Sequence, residues 1–135
     1  VFQVHPRTRN SLERFGLADY LEQMPGVIQQ GPMGYVDFLK LEKEACMALV
    51  DSAGVQEETT VLGVPCLTLR ESTERPITVT EGTNTMVGCD RDDIVTAAFK
   101  VLDEGGKSGS IPDLWDGHSA RRLAEVLKEN GVFRR

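Results

Sequence analysis

The chain has 135 residues, of which 40% are hydrophobic and 27% charged, and a formal net charge of −6. That composition is ordinary for a folded globular protein, and the length allows one domain with a sizeable core. The acidic balance excludes a broad basic face for nucleic acid, but not a small anionic ligand met by helix dipoles and one or two arginines.

No apolar run reaches the roughly eighteen residues of a membrane span and no secretory leader pattern occurs, so a cytoplasmic protein without a membrane partner is expected. The cysteines Cys46, Cys66 and Cys89 show no CxxC spacing. Cys46 and Cys66 fall in apolar runs, which predicts buried free thiols rather than disulfides or metal ligands. No metal or cofactor is expected. The opening Val1-Phe2-Gln3-Val4 has no initiating methionine and begins within a strand-like run, so the chain reads as a fragment or excised domain.

In chain order, Val1 to His5 reads as a strand stopped by Pro6. His5 and Arg7 then stand where ligands of open α/β sheets gather, although a loop histidine and solvated arginines explain them better. Asn10 or Ser11 caps a predicted helix to Phe15, with Gly16 as its stop, and Ala18 to Met24 adds a turn or two. Val27 to Gln30 is a second short strand. Tyr35 to Ala45 reads as an amphipathic helix whose apolar face carries Val36, Phe38, Leu39 and Leu41.

Cys46 to Val50 is a third strand, and Asp51-Ser52-Ala53-Gly54 turns the chain into a helix from about Val55 to Leu62. Small residues there let a ligand approach the backbone, and the free N–H groups of a helix start favour anions, phosphates above all. Glu57 and Glu58 are expected in the first helical turn, where the dipole stabilises carboxylates; plain helix-start chemistry accounts for them as well. Cys66 to Leu69 is a fourth strand, Arg70 to Pro76 a charged loop, Pro76 to Thr80 a short helix, and Thr85 to Cys89 a fifth strand. Acids from Asp90 to Asp93 open a helix striped by Ile94, Val95, Ala98, Val101 and Leu102. Gly105 to Gly109 reads as the most flexible stretch. His118 precedes a last helix from Ser119 to Asn130.

Strands alternating with helices about every twenty residues predict an α/β fold: one Rossmann-like three-layer domain over residues 1–135, with a parallel sheet covered on both faces. The absence of a GxGxxG run leaves a dinucleotide-binding reading little support.

From Asp51 to Asn84 the chain reads DSAGVQEETTVLGVPCLTLRESTERPITVTEGTN. This stretch resembles the signature of the non-hydrolysing UDP-N-acetylglucosamine 2-epimerases, in the C-terminal half of such an enzyme. The resemblance implies one of two Rossmann-like domains in a GT-B-like arrangement, with the N-terminal half as missing partner, a UDP-sugar as ligand and a homodimer in the full-length enzyme. It further implies inversion at C2 of UDP-N-acetylglucosamine, giving UDP-N-acetylmannosamine by elimination and re-addition of UDP. No catalytic residue is expected in this chain, which alone would hold the leaving UDP and catalyse nothing.

The substrate-binding residues so implied are Ser52, Ala53 and Gly54 for the diphosphate, Glu58 for the ribose and Arg75 for sugar or phosphate. Phe38 and Met33 would lie beside the uracil. Without the resemblance, Arg75 reads as a surface ion pair with Glu71 or Glu74. Ala53 stands where the family usually carries glycine; its Cβ would be costly at positive φ and harmless in extended backbone. Two other functions stay open: an epimerase of a modified UDP-sugar such as a diacetamido uronic acid, and a nucleotide-sugar-binding module without catalysis.

Overall fold

A computed structural model describes residues 1–131, so the last positions of the domain expected over 1–135 lie outside the description. The chain divides into two compact units, Val1–Lys40 and Leu41–Arg135. In the first, β1 (Phe2–Gln3) runs parallel to β2 (Gln29–Gln30), with Phe2 opposite Gln29. Val4 is buried and donates its N–H to Gln30 O at 2.9 Å. Helices α1 (Pro6–Arg14) and α2 (Ala18–Glu22) make the crossover.

Helix α1 starts five or six residues before the sequence pattern places it. Pro6 both ends the strand and occupies the first helical turn, where its fixed φ and missing N–H cost nothing. His5 is the N-cap, and its Nδ1 accepts from the Arg7 N–H at 3.2 Å. Its imidazole is therefore a capping group.

Helix α3 (Tyr35–Lys43) begins in the first unit and ends in the second. The second unit then runs β3 (Ala48–Val50), α4 (Ala53–Leu62), β4 (Cys66–Thr68), α5 (Pro76–Thr80), β5 (Asn84–Met86), α6 (Arg91–Glu104) and α7 (Ser119–Glu129). Its three strands are parallel in the order β3-β4-β5, with Leu49 opposite Leu67 and Leu67 opposite Thr85.

All three residues of β4 are buried, so both faces of that strand are covered. Side chains alternate across a strand. Cys66 and Thr68 face α4, where Thr59 hydrogen-bonds the Cys66 thiol, and burial pushes that thiol up. Leu67 faces α6, where it lines a cavity of about 280 Å³ with Thr85, Ala97 and Val101. The parallel α/β architecture expected from the alternating pattern is present.

Three local expectations need correction. Cys46 is exposed, because β3 begins only at Ala48 and leaves Cys46 on the preceding bend; Cys66 is the buried thiol, and all three are free. The inward stripe of α6 is Ile94, Ala97, Ala98 and Val101, which leaves Val95 and Leu102 exposed. The stretch from Gly105 to Gly109 is held close to the rest of the chain at Gly106 and Gly109. A Cβ at Gly106 would overlap the Pro65 ring, and one at Gly109 would overlap the Gly82 backbone. Ser110 donates its N–H to Glu81 O at 2.8 Å, and Lys107 Nζ donates to the carbonyls of Val79 and Asn84. Those glycines permit close approach.

Candidate functional site

The site is built on the start of α4. Ser52, in extended backbone (φ −83°, ψ 131°), is the N-cap, yet its hydroxyl makes no capping bond. The first intrahelical bond runs from Gln56 N–H to Ser52 O at 3.3 Å. The N–H groups of Ala53, Gly54 and Val55 precede it and have no helical acceptor to bond. Ser52 and Gly54 are exposed. A hydroxyl and several N–H groups thus face outward at the positive end of a ten-residue helix.

Ala53 is the first residue of α4, and among described non-glycine residues only Leu114 has positive φ. Its backbone is helical rather than extended or left-handed, so its methyl carries no conformational penalty there. Because the helix starts at Ala53 and not at Val55, Glu57 and Glu58 fall in the second turn, and the first turn contains no acid. The first helical turn therefore holds no carboxylate.

The buried face of α4 is polar: Gln56, Thr59 and Thr60. Thr59 Oγ1 donates to Val55 O (2.7 Å) and Thr60 Oγ1 to Gln56 O (2.9 Å), which satisfies both hydroxyls within the helix. Gln56, with no exposed surface, donates from Nε2 to Ser52 O (3.3 Å) and accepts at Oε1 from Thr73 Oγ1 (2.6 Å). That bond ties the loop between β4 and α5 to the start of α4.

Arg75 closes this loop as the N-cap of α5, and its Nε lies 2.5 Å from Glu57 Oε1. The expected surface pairing with Glu71 or Glu74 is not made: Arg70 holds Glu74 in a two-pronged contact at 2.9 and 3.0 Å, which keeps the Glu74 carboxyl below its usual range. Arg75 instead makes a partly exposed ion pair with Glu57 on α4, and its Nη1 donates to Glu74 O at 3.4 Å. Ser52, Ala53 and Gly54 thus form the start of α4, and the Arg75–Glu57 pair lies on the second turn of the same helix.

Glu58 is half-buried one turn into the helix, and beneath it lies a residue the sequence pattern did not single out. Glu42, near the end of α3, is 5% exposed, and neither carboxylate oxygen has a hydrogen-bond partner. Burial, with the Glu58 charge second, pushes its carboxyl up to about 7. Its position three residues from Leu39 and four from Phe38 was the available signal, since those spacings share a helix face. Met33 and Phe38 belong to the first unit, both half-buried; Phe38 N–H donates to Gly34 O (3.0 Å) in the first turn of α3.

Among the described residues no group of three or more His, Cys, Asp or Glu is placed to hold a metal, and no helix is long and apolar enough to cross a membrane.

A family model described as UDP-N-acetylglucosamine 2-epimerase matches residues 1–128. The UDP-N-acetylglucosamine 2-epimerase of Methanocaldococcus jannaschii is 40% identical over 127 residues, covering 94% of this chain and 34% of that protein. The UDP-2,3-diacetamido-2,3-dideoxy-D-glucuronate 2-epimerase of Pseudomonas aeruginosa is 36% identical over 132 residues, covering 94% and 34%. The crystal structure of the M. jannaschii enzyme in complex with UDP-GlcNAc and UDP superposes with a TM-score of 0.81 at 39% identity, covering 95% of this chain and 35% of that one. The chain spans about a third of the length of the curated relatives it matches. It belongs to the UDP-N-acetylglucosamine 2-epimerase family.

Proposed function

We propose that this chain is the UDP-binding part of a 2-epimerase acting on a UDP-2-acetamido sugar, with UDP-N-acetylglucosamine as the first substrate to test. One observation carries the reading: Ser52 caps α4 without using its hydroxyl, so that hydroxyl and the free N–H groups of Ala53, Gly54 and Val55 face outward together. A diphosphate satisfies all of them at once, and the helix dipole favours its charge. Arg75, paired with Glu57 one turn further along α4, supplies a guanidinium whose fork suits phosphate oxygens.

Glu58 takes a different part. A carboxylate repels phosphate but accepts well from hydroxyls, so its partner is the ribose. In the reaction, elimination breaks the C1–O bond to UDP and removes the C2 proton; UDP then re-adds at C1 while a proton is delivered to the opposite face of C2, so the nucleotide must stay bound between the two steps. The α4 start and Arg75 stabilise the charge on the departing UDP, while the rest of the longer protein provides the groups that move the C2 proton. A second reading keeps this site and changes the sugar to the diacetamido uronate, which the Pseudomonas relative supports at 36% identity.

The test is calorimetric titration with UDP of the native protein and of Glu58→Ala and Arg75→Ala. Saturable binding that either substitution weakens about tenfold or more supports the site. Native affinity in both variants assigns UDP elsewhere.

A further inference from the structure

We propose that the part-buried hydrogen bond between Gln56 and Thr73 is the positioning device of the diphosphate site, holding the Arg75 loop in register with the Ser52–Gly54 turn. The inference rests on the reading of that turn as the UDP site.

The chain of contacts is continuous. Ser52 O accepts from both the backbone N–H and the side-chain Nε2 of Gln56, each at 3.3 Å. Gln56 Oε1 accepts from Thr73 Oγ1 at 2.6 Å, and Thr73 Oγ1 accepts from the Arg75 N–H at 3.0 Å. On the far side, Arg75 O accepts from Thr78 Oγ1 (2.7 Å), which accepts in turn from Asn84 Nδ2 (2.8 Å) on β5. Gln56, Thr78 and Asn84 have no exposed surface. The Arg75 backbone is therefore fixed at its N–H by a path to α4, and at its carbonyl by a path to the sheet.

Burying a glutamine side chain is costly unless its polar ends are satisfied, and an apolar residue of similar volume would pack α4 without that cost. What an apolar residue would not do is choose one position for the 70–76 loop. Amide and hydroxyl recognise each other at a single distance, whereas apolar contact tolerates sliding. The side chain held at the end of this path is the half-exposed Arg75, whose nearest acidic neighbour is Glu57 on the same helix. Fixing its backbone fixes where the guanidinium can reach. Gln56 and Thr73 touch no ligand in this scheme and act through Arg75.

The experiment compares affinity for UDP and for UMP in the native protein, Thr73→Val, Thr73→Ser and Gln56→Met. Valine keeps the threonine shape and removes both bonds of Oγ1; serine restores the hydroxyl. The expected result is that the preference for UDP over UMP shrinks about tenfold in Thr73→Val and returns to within about twofold of native in Thr73→Ser. A merely structural role would lower the melting temperature without changing that preference, so an unchanged preference in Thr73→Val overturns the proposal. If Thr73→Val does not fold, Gln56→Met breaks the same bond from the other side, and its UDP-over-UMP preference decides by the same criterion. Failure of the native protein to bind UDP sinks the site itself, and this inference with it.

Discussion

Two helices of the second unit follow strands in the same way and start differently. At α6, Asp90 Oδ1 accepts from the N–H groups of Asp92 (2.9 Å) and Asp93 (3.2 Å), and those two acids face the helix dipole. That end is closed by its own side chains. At α4 the capping residue is serine, its hydroxyl makes no bond to the helix, and no acid stands in the first turn. That end is left open. A cap that serves only stability uses its donors internally, whereas one that serves a ligand leaves them outward and gives up the capping energy.

The largest expected effect comes from making α4 resemble α6. Ser52→Asp would place a carboxylate over the free N–H groups, where it caps the helix and repels a diphosphate. UDP affinity should fall about a thousandfold, with the melting temperature unchanged or raised. Native affinity for UDP in Ser52→Asp would mean that α4 is as closed to ligands as α6.

Next comes the buried acid beside Glu58. With Glu42 pushed up to about 7 from an ordinary 4.5, the folded protein holds a proton between those values that the unfolded chain has released. Stability conferred by the neutral acid is therefore fully present below 4.5 and lost as pH rises to 7, at most about 3 kcal/mol. Denaturant unfolding of the native protein and of Glu42→Leu across pH 4.5 to 8 checks this. The substitution should flatten that part of the profile and stabilise the protein most above pH 7. No difference in slope between the two profiles would show that Glu42 ionises as an ordinary surface acid does.

The smallest effect sharpens the contrast between the two caps. Asp90→Ala should cost about 1 kcal/mol of unfolding free energy and leave UDP affinity alone. Ser52→Ala should do the reverse, costing less stability and more affinity. Equal stability losses would mean that the Ser52 hydroxyl caps α4 in solution.

Much of this was legible in the sequence, for physical reasons that can be named. An apolar run marked β4, because a central parallel strand must be apolar on both faces, and the apolar run meeting the small-residue turn at Ser52 marked β3 at the edge of that sheet. The turn at Ser52 to Gly54 stood out because few other residue types leave a helix start open. What escaped notice was carried by polar residues with tertiary partners. Gln56, Thr73, Thr78 and Asn84 read as surface positions by composition, and only folding brings them into one hydrogen-bonded path. Glu42 escaped because an acid was not expected on the inward face of α3. The glycines at 106 and 109 suggested flexibility, since sequence alone does not show that Pro65 and the Gly82 backbone press against them.

The most direct test of the central claim is amide NMR of the protein titrated with UDP, following both helix starts. The account predicts saturable shifts concentrated at Ala53, Gly54 and Val55, with Asp92 and Asp93 unmoved. Saturable shifts centred on α6, or spread without preference between the two ends, would contradict it.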